Sequence, residues 1–523
     1  MLNLAALDKK YLWHPFTQMR DWLKQKPIVI ASGKGAVLRD IQGREYLDAN
    51  SSIWTNLHGH NHPKLNAAIQ KQLKKVAHTS ALGLANEPAS LLAERLIKAA
   101  ALSQKFVKYT INHQNLVAQK PSLPLPQGEG RGEGEGSDLS IPRERLLRSA
   151  FTKNPQSPIP NPQLEKVFFS DDGSTAMEVA LKLAYVYAQR TGHSKKPKFL
   201  SLQGAYHGDT AGAVSLGHID LFHKAYAGLL FKTDRVMAPY CYRCSFNRAK
   251  PDRADAREYR KCHHECIALV EQKFAKQKKR GNPYAAFVFE PLMQGAAGMI
   301  PQPPGWLRQV AAIARAHGAQ LIADEVMTGF ARASLPHSAL LSACHQEGVQ
   351  PDFLALAKGM TGGYLPMAAT LTTQTVFDAF LGDYSEFKTF FHGHSFTANQ
   401  LGAAAAIASL DLLQSKSSIQ ARQKLHSTLQ TELASLWSLP NIGDIRQVGL
   451  VAGIELVKNW RTREPFALAK CAGIRVCEAM AKRGVLTRPI GNVIVLMPPY
   501  CTTPAQVYRM VAALAESTKE ALA

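Results

Sequence analysis

The sequence predicts an α/β protein, in which a large domain with a mostly parallel sheet flanked by helices is followed by a smaller α+β domain. Three observations support this class. Downstream of Pro162, short apolar runs alternate with helical patterns, which is typical of parallel strands joined by crossover helices. The residues after 419 carry a separate pattern of strands around one helix. Finally, 46% of the 523 residues are hydrophobic and 20% are charged, which suits a large buried core.

The predicted elements follow one another in a regular order. In the large domain, placed at residues 61–418, the expected strands are KVFFS, KFLSL, AAFVFE, QLIAD, FLALA and AATLT, and the expected helices are TAMEVALKLAYVYAQR, GWLRQVAAIARAHG and ANQLGAAAAIASLDLL. In the small domain, placed at residues 419–523, the strands IRQVGLVAGIELV and VIVLMPP are joined by the helix AGIRVCEAMAKRG. Residues 1–60 are expected to pack on the small domain or on a partner subunit. Catalytic groups should lie beyond the carboxyl ends of the strands.

Residues 104–163 interrupt this pattern. Pro, Gly and Glu dominate the stretch PSLPLPQGEGRGEGEGSDLS, which cannot bury enough apolar area to offset the entropy of ordering it. We predict a mostly disordered surface insertion, with an interaction tail as the alternative. No run of about 18 apolar residues occurs, and the first residues lack the order of a secretory signal. A cytoplasmic protein with no membrane partner is therefore expected.

A second departure is the excess of basic residues between residues 241 and 280. The chain has a net charge of +22, and this stretch holds twelve Lys or Arg against five Asp or Glu. Because no aromatic-interleaved RNA motif accompanies it, we interpret it as a solvated basic surface, with a nucleic-acid site as the rival. Four of the eight cysteines also lie here, namely Cys241, Cys244, Cys262 and Cys266. Their spacing is close to that of a tetrahedral zinc site, and packed free thiols are the alternative.

The strongest chemical signal is Asp324, at the end of QLIAD, with Lys358 just after FLALA. A carboxylate at a strand end keeps a pyridine nitrogen protonated, and a partly desolvated lysine forms a Schiff base with an aldehyde, so together they suit pyridoxal 5′-phosphate (PLP). In FFSDDGSTAMEV a Gly/Ser turn opens a helix, where Gly173 and Ser174 offer a phosphate seat, although plain N-capping fits equally. Tyr206 follows another strand and is placed to stack on a planar ring.

Five motifs resemble, in order, the fold-type I, class III aminotransferases: VFFSDDGSTAMEVALK, GAYHGDTAGAVSLG, FVFEPLMQGAAGM, LIADEVMTGF and LAKGMTGGYLP. Four more resemble the 8-amino-7-oxononanoate aminotransferases of biotin biosynthesis: WHPFTQM, SSIWTNLHGHNHPKLN, FFHGHSFTANQLGAAAA and LTRPIGNVIVLMPPY. The resemblance covers the chain except residues 104–163 and part of the Cys-rich stretch. It implies a homodimeric PLP enzyme that converts 8-amino-7-oxononanoate (KAPA) into 7,8-diaminononanoate (DAPA).

The resemblance also implies roles for single residues. Lys358 would carry the cofactor and then move the proton, while Asp324 would hold the pyridinium nitrogen. Gly173 and Ser174 would bind the phosphate, together with His394 and Ser395 of the other subunit, and the cofactor ring would stack on Tyr206. The substrate pocket would be formed by Ile53, Trp54, Tyr206, Gly393 and Arg488, and the arginine would pair with a carboxylate. For Arg488 a surface ion pair is the alternative.

Three positions depart from family members that use S-adenosylmethionine as amino donor. Phe16 and Val495 each stand where those members have a tyrosine, and Ile53 stands where they have a tryptophan. In the motif after Asp324, Ala331 and Ala333 also replace a usual glycine and threonine. A branch of the family uses lysine, a smaller donor, so the donor is expected to be S-adenosylmethionine or lysine, with the substitutions favouring lysine. Another class III ω-amino acid transaminase, and a basic nucleic-acid or metal-binding protein, are the rival functions.

Overall fold

The computed structural model describes residues 3–101, 162–335 and 341–522, so nearly all of the predicted insertion at 104–163 lies outside the described residues. The α-helices are Leu4–Tyr11, Met19–Lys24, Pro63–Leu73, Glu87–Ala100, Gly173–Arg190, Ala211–Leu216, Asp220–His223, Ala256–Tyr259, Glu265–Lys279, Trp306–Ala316, Gln374–Asp378, Gln400–Gln414, Lys416–Ala434, Ala472–Lys482 and Pro504–Leu522, and Ser51–Trp54 forms a single turn with left-handed backbone angles. The strands are β1 (Ile30–Lys34), β2 (Val37–Asp40), β3 (Glu45–Asp48), β4 (Leu164–Ser170), β5 (Lys198–Leu202), β6 (Asp234–Val236), β7 (Tyr284–Phe289), β8 (Met293–Gln294), β9 (Ile300–Pro301), β10 (Gln320–Asp324), β11 (Phe353–Leu356), β12 (Ala368–Thr373), β13 (Ile442–Val448), β14 (Val451–Asn459), β15 (Glu464–Pro465), β16 (Val485–Leu486), β17 (Pro489–Ile490) and β18 (Val493–Leu496).

The centre of the molecule is a seven-stranded sheet with the order β4-β12-β11-β10-β7-β5-β6. Its neighbours pair in parallel except around β12, which is antiparallel to both β11 and β4. The predicted mostly parallel sheet is therefore confirmed. The reversal at β12 follows from the short link at residues 357–367, because a parallel return requires a crossover of about a dozen residues or more, usually a helix.

Helices cover both faces of this sheet, as its composition requires. Ile322 of β10 packs in one hydrophobic cluster with the helix Gly173–Arg190, whereas its neighbours Leu321 and Ala323 pack in another with the helix Trp306–Ala316. Successive side chains of a strand point to opposite faces, so strands covered on both sides become continuous apolar runs. The unbroken runs FLAL and AATLTT are fully buried for this reason.

Two smaller sheets lie beside the central one. Strands β13, β14, β18 and β17 form an antiparallel sheet in the C-terminal part, with β15 paired to β14. The N-terminal strands β1, β2 and β3 form another, and β16 joins it in parallel with β3. The N-terminal segment and the C-terminal part thus share a sheet, although the domain boundaries stated above remain predictions. None of the described helices is both long and apolar enough to cross a membrane.

The basic stretch after Cys241 is only partly a solvated surface. Lysines near its end, such as Lys278 and Lys279, are exposed as predicted. Three of its arginines, Arg243, Arg253 and Arg257, depart from the prediction because their guanidinium groups bind the C-terminal part. Arg243 Nε donates to Glu455 Oε1 at 2.7 Å, and Arg257 donates to the carbonyl of Gln447 at 2.8 Å. A carboxylate and backbone carbonyls of the C-terminal part thus accept the hydrogen bonds that these guanidinium groups would otherwise donate to water.

The four clustered cysteines surround one small cavity and are all free thiols. Burial raises the pKa of Cys241 to about 12 and that of Cys266 to about 11, so both thiols are neutral in the metal-free protein. Across residues 3–101, 162–335 and 341–522, no three His, Cys, Asp or Glu side chains are arranged to hold one metal ion. The four thiols therefore lie together around one cavity, and the choice between packed thiols and a zinc site stays a prediction.

Candidate active site

A cavity of about 420 Å³ opens where the strands of the central sheet end. Asp324 is the last residue of β10, Lys358 follows the end of β11, and Glu290 follows the end of β7. The carboxyl ends of parallel strands meet at one edge, so residues far apart in sequence converge there. The predicted residues that line the cavity are Trp54, Gly173, Ser174, Tyr206, Asp324 and Lys358.

Asp324 is paired with a histidine that the sequence analysis did not single out. The Nδ1 atom of His207 lies 2.8 Å from Asp324 Oδ2, and the His207 side chain is fully buried. Because a carboxylate accepts there, the proton is assigned to Nδ1. The other oxygen of Asp324 accepts from the N–H of Val326 at 3.1 Å. The pair holds the carboxylate in one orientation, and the position of His207 directly after Tyr206 was the available signal.

Lys358 lies in the cavity wall with its ammonium nitrogen 5.3 Å from the centre of the Trp54 ring. Burial lowers the pKa of Lys358, although the nearby carboxylates of Asp324 and Glu290 oppose that effect. No described carboxylate is close enough to Nζ to form an ion pair. A lysine with a lowered pKa is a better nucleophile and proton carrier near neutral pH.

Glu290 is a buried acid that the sequence analysis also missed. It accepts from the N–H of Gly295 at 2.7 Å, and its Oε1 atom has no hydrogen-bond partner among the described residues. Burial raises the pKa of Glu290 to about 7. The signal available in the sequence was the carboxylate that follows the buried strand AAFVF.

Replacing Glu290 with glutamine should stabilise the protein at pH 8 and change its stability little at pH 5. The ordinary pKa is about 4.5, so folding takes up a proton between that pH and 7. Stability contributed by this group is therefore lost as the pH rises, by ~3 kcal/mol in all. The melting temperatures of both proteins at the two pH values test this. An equal change at pH 5 and pH 8 would contradict it.

The helix that begins at Gly173 combines both interpretations of its first turn. Asp172 caps it by accepting from the N–H of Thr175 at 2.9 Å, while Thr175 accepts from the N–H of Asp172 at 3.0 Å. Plain capping is thus present, yet no described residue accepts from the N–H of Gly173 or Ser174. A Cβ atom on Gly173 would lie 2.6 Å from Val326 Cγ1, and one on Gly208 would lie 2.1 Å from Ser174 Oγ. These glycines allow close packing around the helix start, whose first N–H groups have no described acceptor and suit an anion.

Tyr206 lines the cavity, and its hydroxyl donates to Asp209 at 2.8 Å. Burial and that hydrogen bond raise the pKa of Tyr206, so the phenol stays neutral. Its edge faces Phe222, with ring centres 6.3 Å apart. Phe16, one of the departures from the family pattern, lies 5.4 Å from the same Phe222 ring. Aromatic contacts therefore run from Tyr206 in the cavity through Phe222 to the exposed Phe16.

Five predicted site residues lie outside the cavity of the single chain, namely Ile53, Gly393, His394, Ser395 and Arg488. Gly393 and Ser395 are exposed, and the carbonyl of Ser395 accepts from His78. His394 Nδ1 lies 3.2 Å from Asp171, which does line the cavity. Arg488 is exposed, donates to the carbonyl of Phe16 at 3.3 Å and forms no ion pair with a described carboxylate; its pairing with a substrate carboxylate stays a prediction.

The departures around Trp54 leave an apolar environment. Ile53 is 45% exposed and does not line the cavity, so the structure does not place it as a pocket residue of the same chain. Val495 is buried in a cluster with Met293, Met299 and Met327, against which Trp54 packs. Trp54 is thus one aromatic group among thioether and aliphatic neighbours.

The chain is similar to known aminotransferases over nearly its whole length. A family model described as aminotransferase class-III matches residues 19–115 and 149–517. The adenosylmethionine-8-amino-7-oxononanoate aminotransferase of Geobacter sulfurreducens is 40% identical over 515 residues, which cover 98% of this chain and 97% of that protein. The protein of the same name from Methanocaldococcus jannaschii is 37% identical over 526 residues, covering 99% and 98%.

Solved structures agree with these sequence matches. The structure of the M. jannaschii protein aligns with a TM-score of 0.79 and 34% identity, covering 99% of this chain and 98% of that one. An amine transaminase from an uncultivated Pseudomonas species, solved in its PLP-bound form, aligns with a TM-score of 0.77 and 28% identity, covering 98% of both chains.

Proposed function

The chain belongs to the class-III aminotransferase family, and from this premise we propose that it transfers an amino group to KAPA to give DAPA, with PLP as cofactor. The observation that carries the proposal is the convergence of Asp324 and Lys358 on one cavity that also contains an open helix start. The names of relatives about 40% identical over nearly the whole chain support KAPA as the amino acceptor.

The residues present fit PLP. The helix start at Gly173 and Ser174 suits a phosphate, because its N–H groups lack described acceptors and added Cβ atoms there would clash. Tyr206 offers a ring face, Asp324 a carboxylate for the pyridine nitrogen, and Lys358 an amine for the aldehyde. A volume of about 420 Å³ is within the range of small-molecule sites.

When bound, PLP supplies an electron sink that allows a proton to leave the carbon next to the transferred nitrogen. Lys358 moves that proton, since burial lowers its pKa and makes the neutral amine easier to form. Asp324, oriented by His207, holds a proton on the pyridine nitrogen. Trp54 covers the amine and limits the access of water on its side of the cavity.

The complete site is proposed to require two copies of the chain. Gly393, His394 and Ser395 lie outside the cavity of the single chain, yet His394 approaches Asp171 at its rim. We assign these three residues to the phosphate and substrate side of the partner's cavity in a homodimer. Arg488, whose charge is unpaired by any described carboxylate, is assigned to the carboxylate of KAPA. The reaction is proposed to take place in the cytoplasm.

The structure bears on the choice of amino donor. S-Adenosylmethionine is named for the relatives, and its adenine and sulfonium groups need aromatic and hydroxyl partners. Here Phe16 has no hydroxyl, Val495 lies in a methionine-rich cluster, and Ile53 is half exposed. We propose that the donor is S-adenosylmethionine or lysine, with the three substitutions favouring lysine as the smaller donor.

The test is the donor half-reaction followed by absorbance. The PLP-loaded enzyme is mixed separately with lysine, S-adenosylmethionine, β-alanine and ornithine, and conversion to pyridoxamine phosphate is measured; KAPA is then added. We expect conversion by lysine and reoxidation by KAPA. Conversion by S-adenosylmethionine at micromolar concentration with none by lysine would contradict the donor assignment. Turnover with β-alanine or ornithine and none with KAPA would identify an ω-amino acid transaminase instead.

A further inference from the structure

The segment Ser51–Trp54 has an unusual backbone. Its four residues have φ angles of 48°, 48°, 62° and 70°, and none of them is glycine. Side chains with a Cβ atom disfavour this left-handed region, and a β-branched residue such as Ile53 disfavours it most. A run of four such residues persists only where the surroundings hold it, and such strain collects at functional sites.

The group that holds this turn is the carboxylate of Asp48, at the end of β3. It is 3% exposed and accepts four hydrogen bonds, from the N–H of Asn50 at 3.2 Å, the N–H of Ser52 at 3.0 Å, the hydroxyl of Ser52 at 3.0 Å and His60 Nε2 at 2.9 Å. Burial acts to raise the pKa of Asp48, but the hydrogen bonds from His60 and Ser52 outweigh it and hold the pKa below its usual value.

Two further contacts tie the turn to the C-terminal part. The hydroxyl of Ser51 donates to the carbonyl of Met497 at 2.6 Å. The buried guanidinium of Arg332 donates at 2.8 Å both to the carbonyl of Asn56, just beyond the turn, and to that of Pro498. The turn is therefore clamped between β3 and the C-terminal part, and its last residue is Trp54 beside Lys358.

We propose that Asp48 is a positioning residue, whose carboxylate holds the left-handed turn Ser51–Trp54 and thereby places Trp54 against Lys358 in the active-site cavity. Without these hydrogen bonds the turn relaxes toward negative φ angles, and Trp54 leaves the cavity wall. The side chain of Asp48 does not line the cavity, so Asp48 acts on the site only through the turn. The kinetic part of the proposal rests on the proposed function.

Asp40 provides a matched control. It lies at the end of β2 in the same sheet, is also 3% exposed, and accepts four hydrogen bonds from Gln42, Arg44 (two) and Tyr46. The full-length variants Asp48→Ala, Asp48→Asn, Asp40→Ala and Trp54→Phe are compared with the parent protein. The first measurement is the change in tryptophan fluorescence when PLP is added to cofactor-free protein. The difference in this fluorescence change between the parent and Trp54→Phe is the contribution of Trp54 to the signal.

We expect the contribution of Trp54 to the fluorescence change to be lost in Asp48→Ala and retained in Asp40→Ala, even though the melting temperatures of both variants fall. With KAPA, kcat/KM should fall roughly tenfold to a hundredfold for Asp48→Ala and stay unchanged for Asp40→Ala. Asp48→Asn, which keeps one acceptor oxygen, should give a kcat/KM between those of Asp48→Ala and the parent. If Asp48→Ala does not fold, Asp48→Asn decides by the same fluorescence measurement. If Trp54 contributes as much to the fluorescence change in the Asp48 variants as in the parent, the proposal is overturned. Because fluorescence does not depend on turnover, failure of the KAPA reaction is distinguished from failure of this inference.

Discussion

Replacing Lys358 with alanine is expected to abolish transamination, lowering kcat by roughly four orders of magnitude. Lys358 is the lysine in the wall of the cavity, and no other described lysine lines it. Its pKa is lowered by burial, so the amine is available both to bind the cofactor aldehyde and to move the proton. Removing the side chain removes both roles, and water in the cavity replaces them poorly because Trp54 covers that position.

The measurement combines turnover with chemical trapping. Borohydride reduction of the PLP-loaded parent protein, followed by peptide mapping, should place the pyridoxyl group on Lys358, and the variant should retain none. The control is Lys388→Ala, a half-exposed lysine paired with Glu386 and outside the cavity, which should keep both activity and the label. A pyridoxyl group on any other lysine of the parent would show that Lys358 is misassigned.

The elements of the central sheet could be predicted from the sequence because burial on both faces makes its strands continuous apolar runs. The bounds of the predicted strand QLIAD coincide with those of β10, and the bounds of FLALA and AATLT agree with β11 and β12 within one residue at each end. The reversed direction of β12 was not predicted, since apolar runs carry no direction. Edge strand β6 was also missed, because its three residues are too short to show a pattern.

The candidate site was predictable where a chemical residue directly follows a strand, as Asp324 and Lys358 do. His207 and Glu290 follow strands as well, but a buried histidine or glutamate is recognised as functional only once its partner is known, and the partners lie far away in sequence. The left-handed turn at Ser51–Trp54 was unpredictable for another reason. Strain of this kind depends on hydrogen bonds to Asp48 and Met497, not on the propensities of its own residues.

Replacing Asp324 with asparagine is expected to lower kcat by roughly two to three orders of magnitude while changing the KM for KAPA much less. The two side chains have nearly the same shape, and the amide oxygen can still accept from His207 Nδ1. What the variant loses is the negative charge that holds a proton on the pyridine nitrogen, and without that proton the cofactor is a weaker electron sink. The loss therefore falls on the proton transfer and not on binding.

The pH dependence of the absorbance of bound PLP gives a readout independent of turnover, because the charge of the pyridine nitrogen alters the spectrum. The matched control is Asp234→Asn, at a carboxylate that accepts from Tyr284 at 2.6 Å on edge strand β6, outside the cavity. That variant should keep the parent spectrum and kcat. If Asp324→Asn also kept both, the carboxylate would serve only to orient His207, and the assignment of the pyridine nitrogen to this edge of the sheet would be wrong.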